Sequence, residues 1–354
     1  MKTLYYPEFD RLEIANMPDP QAGAGDVVLE VAAVGLCGSE LETFRNHSPR
    51  RKPPLVMGHE FCGTVVAVGG GVDESLLGGR FVSNSLVPCG ECVRCKRGDT
   101  HLCAHRQIFG MHRPGAFAER CVVPARCLIP WPATLPAEAA CLAEPLANGV
   151  HMVNLTRHLS PKTVLVIGAG PIGLMAQQAF QSMLGAVVDV ADLSGERCAA
   201  AANVGARRVL DPRIDDVVAV GKEATEGEGY DLIVDAVGSP VTKRQSIDAL
   251  RPGGAAVWIG LHGDELTVSS YDITLPERQV FGTYAATLDE LRVAVDLMDT
   301  GKVRTADWVS VFSMADSING FERMLAAKGA DIKAVILPNQ AEPGPLSRSN
   351  KGGG

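Results

Sequence analysis

The chain has 354 residues, 46% of them hydrophobic and 21% charged, with a mean hydropathy of +0.09, a balance that excludes a disordered or membrane-embedded polypeptide. A formal charge of −8 and a pI near 5.5 argue against a nucleic-acid partner, whose phosphates need a basic face, and the run Arg50-Arg51-Lys52 reads as solvated surface. No stretch is as long as a membrane span, and the opening MKTLYYPEFDRLEIANMPDP has no apolar signal core, so a cytoplasmic protein of two domains is expected.

In chain order, the first chemically loaded segments are GLCGSE and VMGHEFCG, which contribute Cys37, His59 and Glu60. One thiolate, one imidazole and one carboxylate make a mixed set that leaves a coordination position open, as catalytic zinc requires. Glu60 follows His59 directly, so both can face one metal only if the backbone turns there; Phe61-Cys62-Gly63 resumes a strand pattern. Next comes CGECVRCKRGDTHLC, where Cys89, Cys92, Cys95 and Cys103 are spaced to wrap four thiolates around one ion. Four sulfurs close the coordination sphere, so this zinc is structural and fixes a polar lobe with little apolar content. In a reducing compartment such a cluster is not a disulfide framework; an iron–sulfur cluster is the weaker alternative. His101 and His105, flanking Cys103, read as surface residues.

In CLAEPLANGVH an acidic residue, Glu144, interrupts an apolar run. It is a candidate fourth ligand or an acceptor that orients the metal and its water; the plainer reading is a helix N-terminal charge. Because it precedes Pro145, an extended backbone is expected at Glu144.

The stretch KTVLVIGAGPIGLMAQQAF runs a β-branched strand into G-A-G-P-I-G and then into a helical pattern. Gly168 permits the tight turn, Gly170 lets a pyrophosphate approach the backbone before Pro171 and Ile172, and Gly173 packs the helix onto the strand. Asp192, ending the next strand, is placed to accept from both adenine-ribose hydroxyls and to repel a 2′-phosphate, which favours NAD over NADP; Asp189 is the competing acid, and Arg197 lies just beyond. RRVLD, YDLIVDAVGS and GGAAVWIGLHG continue the alternation of a parallel sheet, with Val237, Gly238 and Gly260 at the strand ends where nucleotides bind. Cys62, Cys121, Cys127, Cys141 and Cys198 read as core filler, and NQAEPGPLSRSNKGGG as a loose tail.

Taken together, GHE with Cys37, the four-cysteine lobe, RPGAFAE, AEPLANGVH and GAGPIG resemble the zinc-dependent medium-chain dehydrogenase/reductase superfamily, alcohol dehydrogenase type, up to about Pro338. Within it CGSE, GHE and EPL are similar to the sorbitol and polyol branch, and THLC and RPGAFAE to threonine dehydrogenases. The resemblance implies an α/β fold in which a Rossmann doubly wound parallel sheet (149–285) is inserted into a GroES-like β-rich catalytic domain (1–148 and 286–338), followed by a tail from 339. It implies zinc at Cys37, His59 and Glu60 with Glu144 as alternating or water-mediated fourth ligand, and NAD. It implies a homodimer or homotetramer, and Ser39 at the start of a proton relay that His47 could continue. Phe44, His112, Phe117 and Tyr284 are expected near the substrate. The expected activity is hydride transfer between NAD and a secondary alcohol of polyol, sugar-derived or amino-alcohol type. A zinc-stabilised nucleotide-binding protein without chemistry is the alternative; a zinc-ribbon interaction module would leave GAGPIG unexplained.

Overall fold

The structure is a computed structural model, described here for residues 1–326 and 331–340, so all but the first two residues of the expected tail lie outside the described residues. Among these residues no helix is long and apolar enough to cross a membrane.

The first body is a β-rich sheet whose centre is the antiparallel pair Asp26–Gly35 and Glu60–Val68. Both strands read as nearly unbroken apolar runs because both faces of the pair are covered, and Phe61, Val31, Leu29 and Val34 are fully buried. Strand Lys333–Leu337, from the far end of the chain, pairs antiparallel with Asp26–Gly35 through Val335↔Gly35 and Ile336↔Val34. The β-rich body is therefore split in sequence, as the GroES-like arrangement demands, with the rest of the chain inserted between its halves.

The insertion carries a six-stranded, wholly parallel sheet in the order Arg208–Leu210, Val187–Ala191, Thr163–Ile167, Tyr230–Asp235, Leu250–Trp258, Gln279–Gly282. Strand order reverses beside Thr163–Ile167, which opens a crevice at the carboxyl ends of the strands. Gly168 there takes φ +97°, and helix Pro171–Leu184 starts at once with Pro171 in its first turn, where a missing N–H costs nothing. Asp189 is explained structurally: fully buried, it accepts from Arg207 Nε at 2.8 Å, Arg207 Nη2 at 2.6 Å and the Tyr230 hydroxyl at 2.8 Å.

The boundary expected at 148 falls inside one continuous helix, Ala143–Thr156. This helix packs against Pro171–Leu184 and Leu288–Asp299, and Gly149 lets it come close: a Cβ there would stand 3.0 Å from the Met175 carbonyl oxygen. His151 on the same helix bonds Glu290 Oε1 at 2.9 Å, while Glu290 Oε2 accepts from the Thr287 amide at 2.8 Å and caps its own helix. His101 is not a surface residue. It is buried with its ring 4.6 Å edge-on to His151, which docks the cysteine lobe on the helix pair. His105 is exposed, as expected.

Two glycines of the Gly-rich turn are needed for different reasons. A Cβ on Gly173 would lie 1.8 Å from the Gly168 carbonyl oxygen, whereas one on Gly170 would meet nothing nearer than Arg197 Nη1 at 4.0 Å. Gly173→Ala is therefore expected to cost about 1–3 kcal/mol of stability. Gly170→Ala should leave Tm within a degree or two while weakening dinucleotide binding at least about tenfold. Thermal unfolding paired with NADH titration checks both.

Candidate active site

Helix Gly38–Asn46 begins immediately after Cys37, and strand Glu60–Val68 begins immediately after His59. The turn between them puts one donor atom each of Cys37, His59 and Glu60 within 4.8 Å of one another. Gly58, at φ +97°, makes the turn that lets two consecutive side chains face one point; a Cβ there would meet the Phe117 amide nitrogen at 2.8 Å.

Sequence reasoning missed the residue that organises this corner. Glu40 is fully buried; its Oε1 accepts from the Gly58 amide at 2.7 Å and meets His59 Nδ1 at 3.0 Å, and its Oε2 accepts from the Cys37 amide at 3.0 Å. Burial would raise the Glu40 carboxyl, but the bonded His59, with Arg51 and the Cys37 amide, holds it down to about 2. The same charge raises His59 well above its usual value despite burial. With Nδ1 fixed on a carboxylate, His59 offers Nε2 to a metal. The signal was present, since a Glu three residues into a helix is a capping residue, here reaching back to the amide of the preceding Cys37.

Lys333 was missed as well. Its ammonium pairs with Glu60 Oε2, both side chains being 2% exposed. Burial works to lower the Lys333 pKa, and the charges of Glu60 and Cys37 outweigh it. One Glu60 oxygen, Oε2, is thus paired with Lys333. The lysine in KAVIL, a polar head on an otherwise apolar strand, was the clue.

Glu144 stands outside the three-residue cluster, though its charge environment is set by His59, Glu60, Ser85 and Lys333. Burial raises its carboxyl. The extended backbone expected before Pro145 is not found: Glu144 lies in the first turn of helix Ala143–Thr156. Pro145 in that turn removes an N–H that has no intrahelical acceptor, so the helix tolerates it.

Ser39 is exposed, donating to Cys37 Sγ at 3.3 Å and accepting from Arg51 Nη1 at 2.8 Å. Arg51 is not the solvated residue expected, being 4% exposed. His47 lies at the opposite end of the helix from Ser39, exposed, bonded to Asp10 Oδ1 at 2.8 Å and stacked on Phe9. Of the residues expected near the substrate, Phe117 is fully buried in the β-body core and Phe44 packs on Tyr6 and Phe321. His112 is exposed, and Tyr284 lies under the Arg106 guanidinium.

In the lobe, the sulfurs are separated by 3.5 Å (Cys89–Cys103), 3.6 Å (Cys92–Cys95), 3.8 Å (Cys92–Cys103) and 3.9 Å (Cys89–Cys95). Thiolates bound tetrahedrally to zinc at about 2.3 Å stand about 3.8 Å apart, so the four fit the ion, and all are free thiols rather than disulfides. The Cys95 amide favours the thiolate of Cys92 and lowers it to about 6.

At the dinucleotide crevice, Asp192 Oδ2 accepts from the Ala169 amide at 2.7 Å and Oδ1 from the Ser194 amide at 2.8 Å, so it also clamps the Gly-rich turn. Val237 leans over Gly168, and Gly238 and Gly260 are glycine because the two strand ends touch: a Cβ on Gly260 would fall 2.2 Å from the Val237 carbonyl carbon. Cys62, Cys121, Cys127 and Cys141 are buried, with thiols pushed up by burial; Cys198 differs in being half-exposed beside Asp192.

The family model "Alcohol dehydrogenase GroES-like domain" matches residues 23–133, and "Zinc-binding dehydrogenase" matches residues 171–300. L-threonine 3-dehydrogenase of Pyrococcus horikoshii is 36% identical over 259 residues, covering 72% of this chain and 74% of its own. D-arabitol-phosphate dehydrogenase of Enterococcus avium is 29% identical over 342 residues, covering 95% and 96%. An Escherichia coli alcohol dehydrogenase complexed with NADH superposes with a TM-score of 0.89 at 27% identity, over 96% of this chain and 99% of that one.

Replacing Glu40 by Gln keeps the shape but removes the charge that fixes His59. Glu40→Gln is expected to weaken one of two zinc sites about 10- to 100-fold, read by chelator competition, and to leave the four-cysteine site full.

Proposed function

As a member of the zinc-dependent medium-chain dehydrogenase superfamily, alcohol dehydrogenase type, this chain is an alcohol oxidoreductase, and we propose that it moves a hydride between NAD and a secondary alcohol of polyol, sugar-derived or amino-alcohol type. The observation that carries the site assignment is the convergence of Cys37, His59 and Glu60 donor atoms within 4.8 Å, backed by Glu40. Cys37, His59 and Glu60 would hold the catalytic zinc, with Glu144 as exchanging or water-mediated partner; Cys89, Cys92, Cys95 and Cys103 would hold the structural one. Gly168, Gly170, Pro171, Ile172, Gly173, Asp192, Arg197, Val237 and Gly260 would hold NAD. When bound, zinc supplies a Lewis acid and NAD a hydride acceptor.

The chain's own residues position and move protons. Glu40 locks the His59 tautomer, and Lys333 anchors one oxygen of Glu60. Ser39 Oγ takes the alcohol proton at the mouth of the site. Arg51, always protonated, cannot take that proton onward, and His47 is too far displaced along its helix to do so. The Ser39 proton therefore leaves to water.

A cytoplasmic setting is supported by ten free cysteines. A homodimer or homotetramer is supported by the outer edge of the parallel sheet at Gln279–Gly282, near which Leu275 and Tyr271 are 77% and 71% exposed.

Two zinc ions per chain and NAD reduction by a panel of secondary alcohols are expected. One zinc and no turnover would instead support a nucleotide-binding protein without chemistry. In the same assay Glu60→Ala should lose one zinc, whereas Glu144→Ala should retain both and lower turnover; zinc lost only with Glu144 would reverse the ligand assignment.

Asp192→Ala is expected to raise the KM for NAD about tenfold or more and to narrow the NAD-over-NADP preference, since the ribose acceptor and the charge opposing a 2′-phosphate vanish together. An unchanged cofactor ratio would assign the preference to another residue.

A further inference from the structure

The geometry points to Arg51 as an anion-binding residue of the substrate pocket, so that the alcohol oxidised here carries a carboxylate or phosphate within a few bonds of the reacting hydroxyl. This rests on the dehydrogenase reading above and deepens it.

Burying a guanidinium is costly unless a carboxylate or a full set of acceptors repays the lost hydration. The other fully buried cation, Lys333, follows that rule by pairing with Glu60. Arg51 does not. It is 4% exposed, yet among the described residues it forms no ion pair with a carboxylate, and its buried Nε has no hydrogen-bond partner. Its side-chain bond is Nη1 to Ser39 Oγ at 2.8 Å. Glu40 is the nearest acidic influence, but both its oxygens are already committed, to His59, the Gly58 amide and the Cys37 amide.

Location adds the second half of the inference. One hydroxyl, Ser39, separates the guanidinium from Cys37 Sγ, and Ser39 is exposed where Arg51 is not. Arg51 therefore stands two hydrogen bonds from Cys37 Sγ, with Nε and Nη2 left to donate. A planar pair of N–H donors matches two oxygens of one carboxylate or phosphate, and such charge-assisted bonds are about twice as strong as neutral ones. A neutral alcohol would leave the guanidinium unpaired.

The test uses matched substrates with the zinc-loaded enzyme and NAD: 2-butanol against 3-hydroxybutyrate, and propane-1,2-diol against its 1-phosphate. For the wild type, kcat/KM is expected to favour the anionic member of at least one pair by about 10- to 100-fold, and which pair responds identifies carboxylate or phosphate. In Arg51→Gln that ratio should fall toward one, and Arg51→Lys should recover part of it. Reading a ratio removes any general loss of activity through Ser39. A second arm needs no turnover: titration of the zinc-loaded protein with propionate and with methyl phosphate, where the wild type should bind one of them at least about tenfold tighter than Arg51→Gln.

Alcohol oxidation with no anionic preference, or a preference that survives Arg51→Gln, would overturn the assignment. Arg51-dependent anion binding without oxidation of any alcohol would keep it and overturn the dehydrogenase reading instead; absence of both would overturn the two together.

Discussion

One buried ion pair closes this molecule. Lys333 and Glu60 are 273 positions apart in sequence, and they meet across Gly35, the residue between their strands. A Cβ on Gly35 would fall 2.3 Å from Glu60 Oε2 and 3.2 Å from Lys333 Cε, so the smallest side chain makes room for the two charges. Removing either partner leaves the other charge alone in a dry interior, at a cost of about 3–5 kcal/mol. The pair joins the two halves of the split β-body at the point where the metal corner is built.

Three neighbouring carboxylates, Glu40 and Glu60 buried and Glu144 partly so, do not share a role. Glu40 is kept ionised by His59 and backbone amides, Glu60 is matched by an ammonium, and Glu144 is driven by burial toward its neutral form. Glu40 and Glu144 are pushed in opposite directions in proton affinity, which is how like side chains acquire different chemistry. The orientation of His59, the anchoring of Glu60 and the raised proton affinity of Glu144 are all consequences of which partner each acid found.

What was legible in the sequence was local. GAGPIG worked because strand, turn and helix are consecutive, and the four-cysteine lobe because its ligands fall within a few turns of chain. The parallel sheet followed from the alternation of short apolar strands with helical sequence, and the split β-body was what the family resemblance implied. What was not legible depends on distant partners. Glu40, Lys333 and Arg51 are charged residues, which composition assigns to the surface; each is buried because of a contact outside its own segment. His101 was misplaced for the same reason, its shelter being His151 on another element. Glu144 failed differently: the local preference of a residue before proline for extended backbone is overridden where helix Ala143–Thr156 begins, and Pro145 itself is tolerated there because first-turn amides have no acceptor to lose.

The helix Ala143–Thr156 has a mechanical consequence. It carries Glu144 in its first turn and runs, without a break, into packing against Leu288–Asp299 and against Pro171–Leu184, the helix that opens the dinucleotide crevice. Its 14 residues make a rod about 21 Å long, so a tilt of about 5° at the crevice end sweeps the other end through about 2 Å. The residue beside His59 and Glu60 and the packing against Pro171–Leu184 therefore belong to one rod, so the position of either end fixes that of the other.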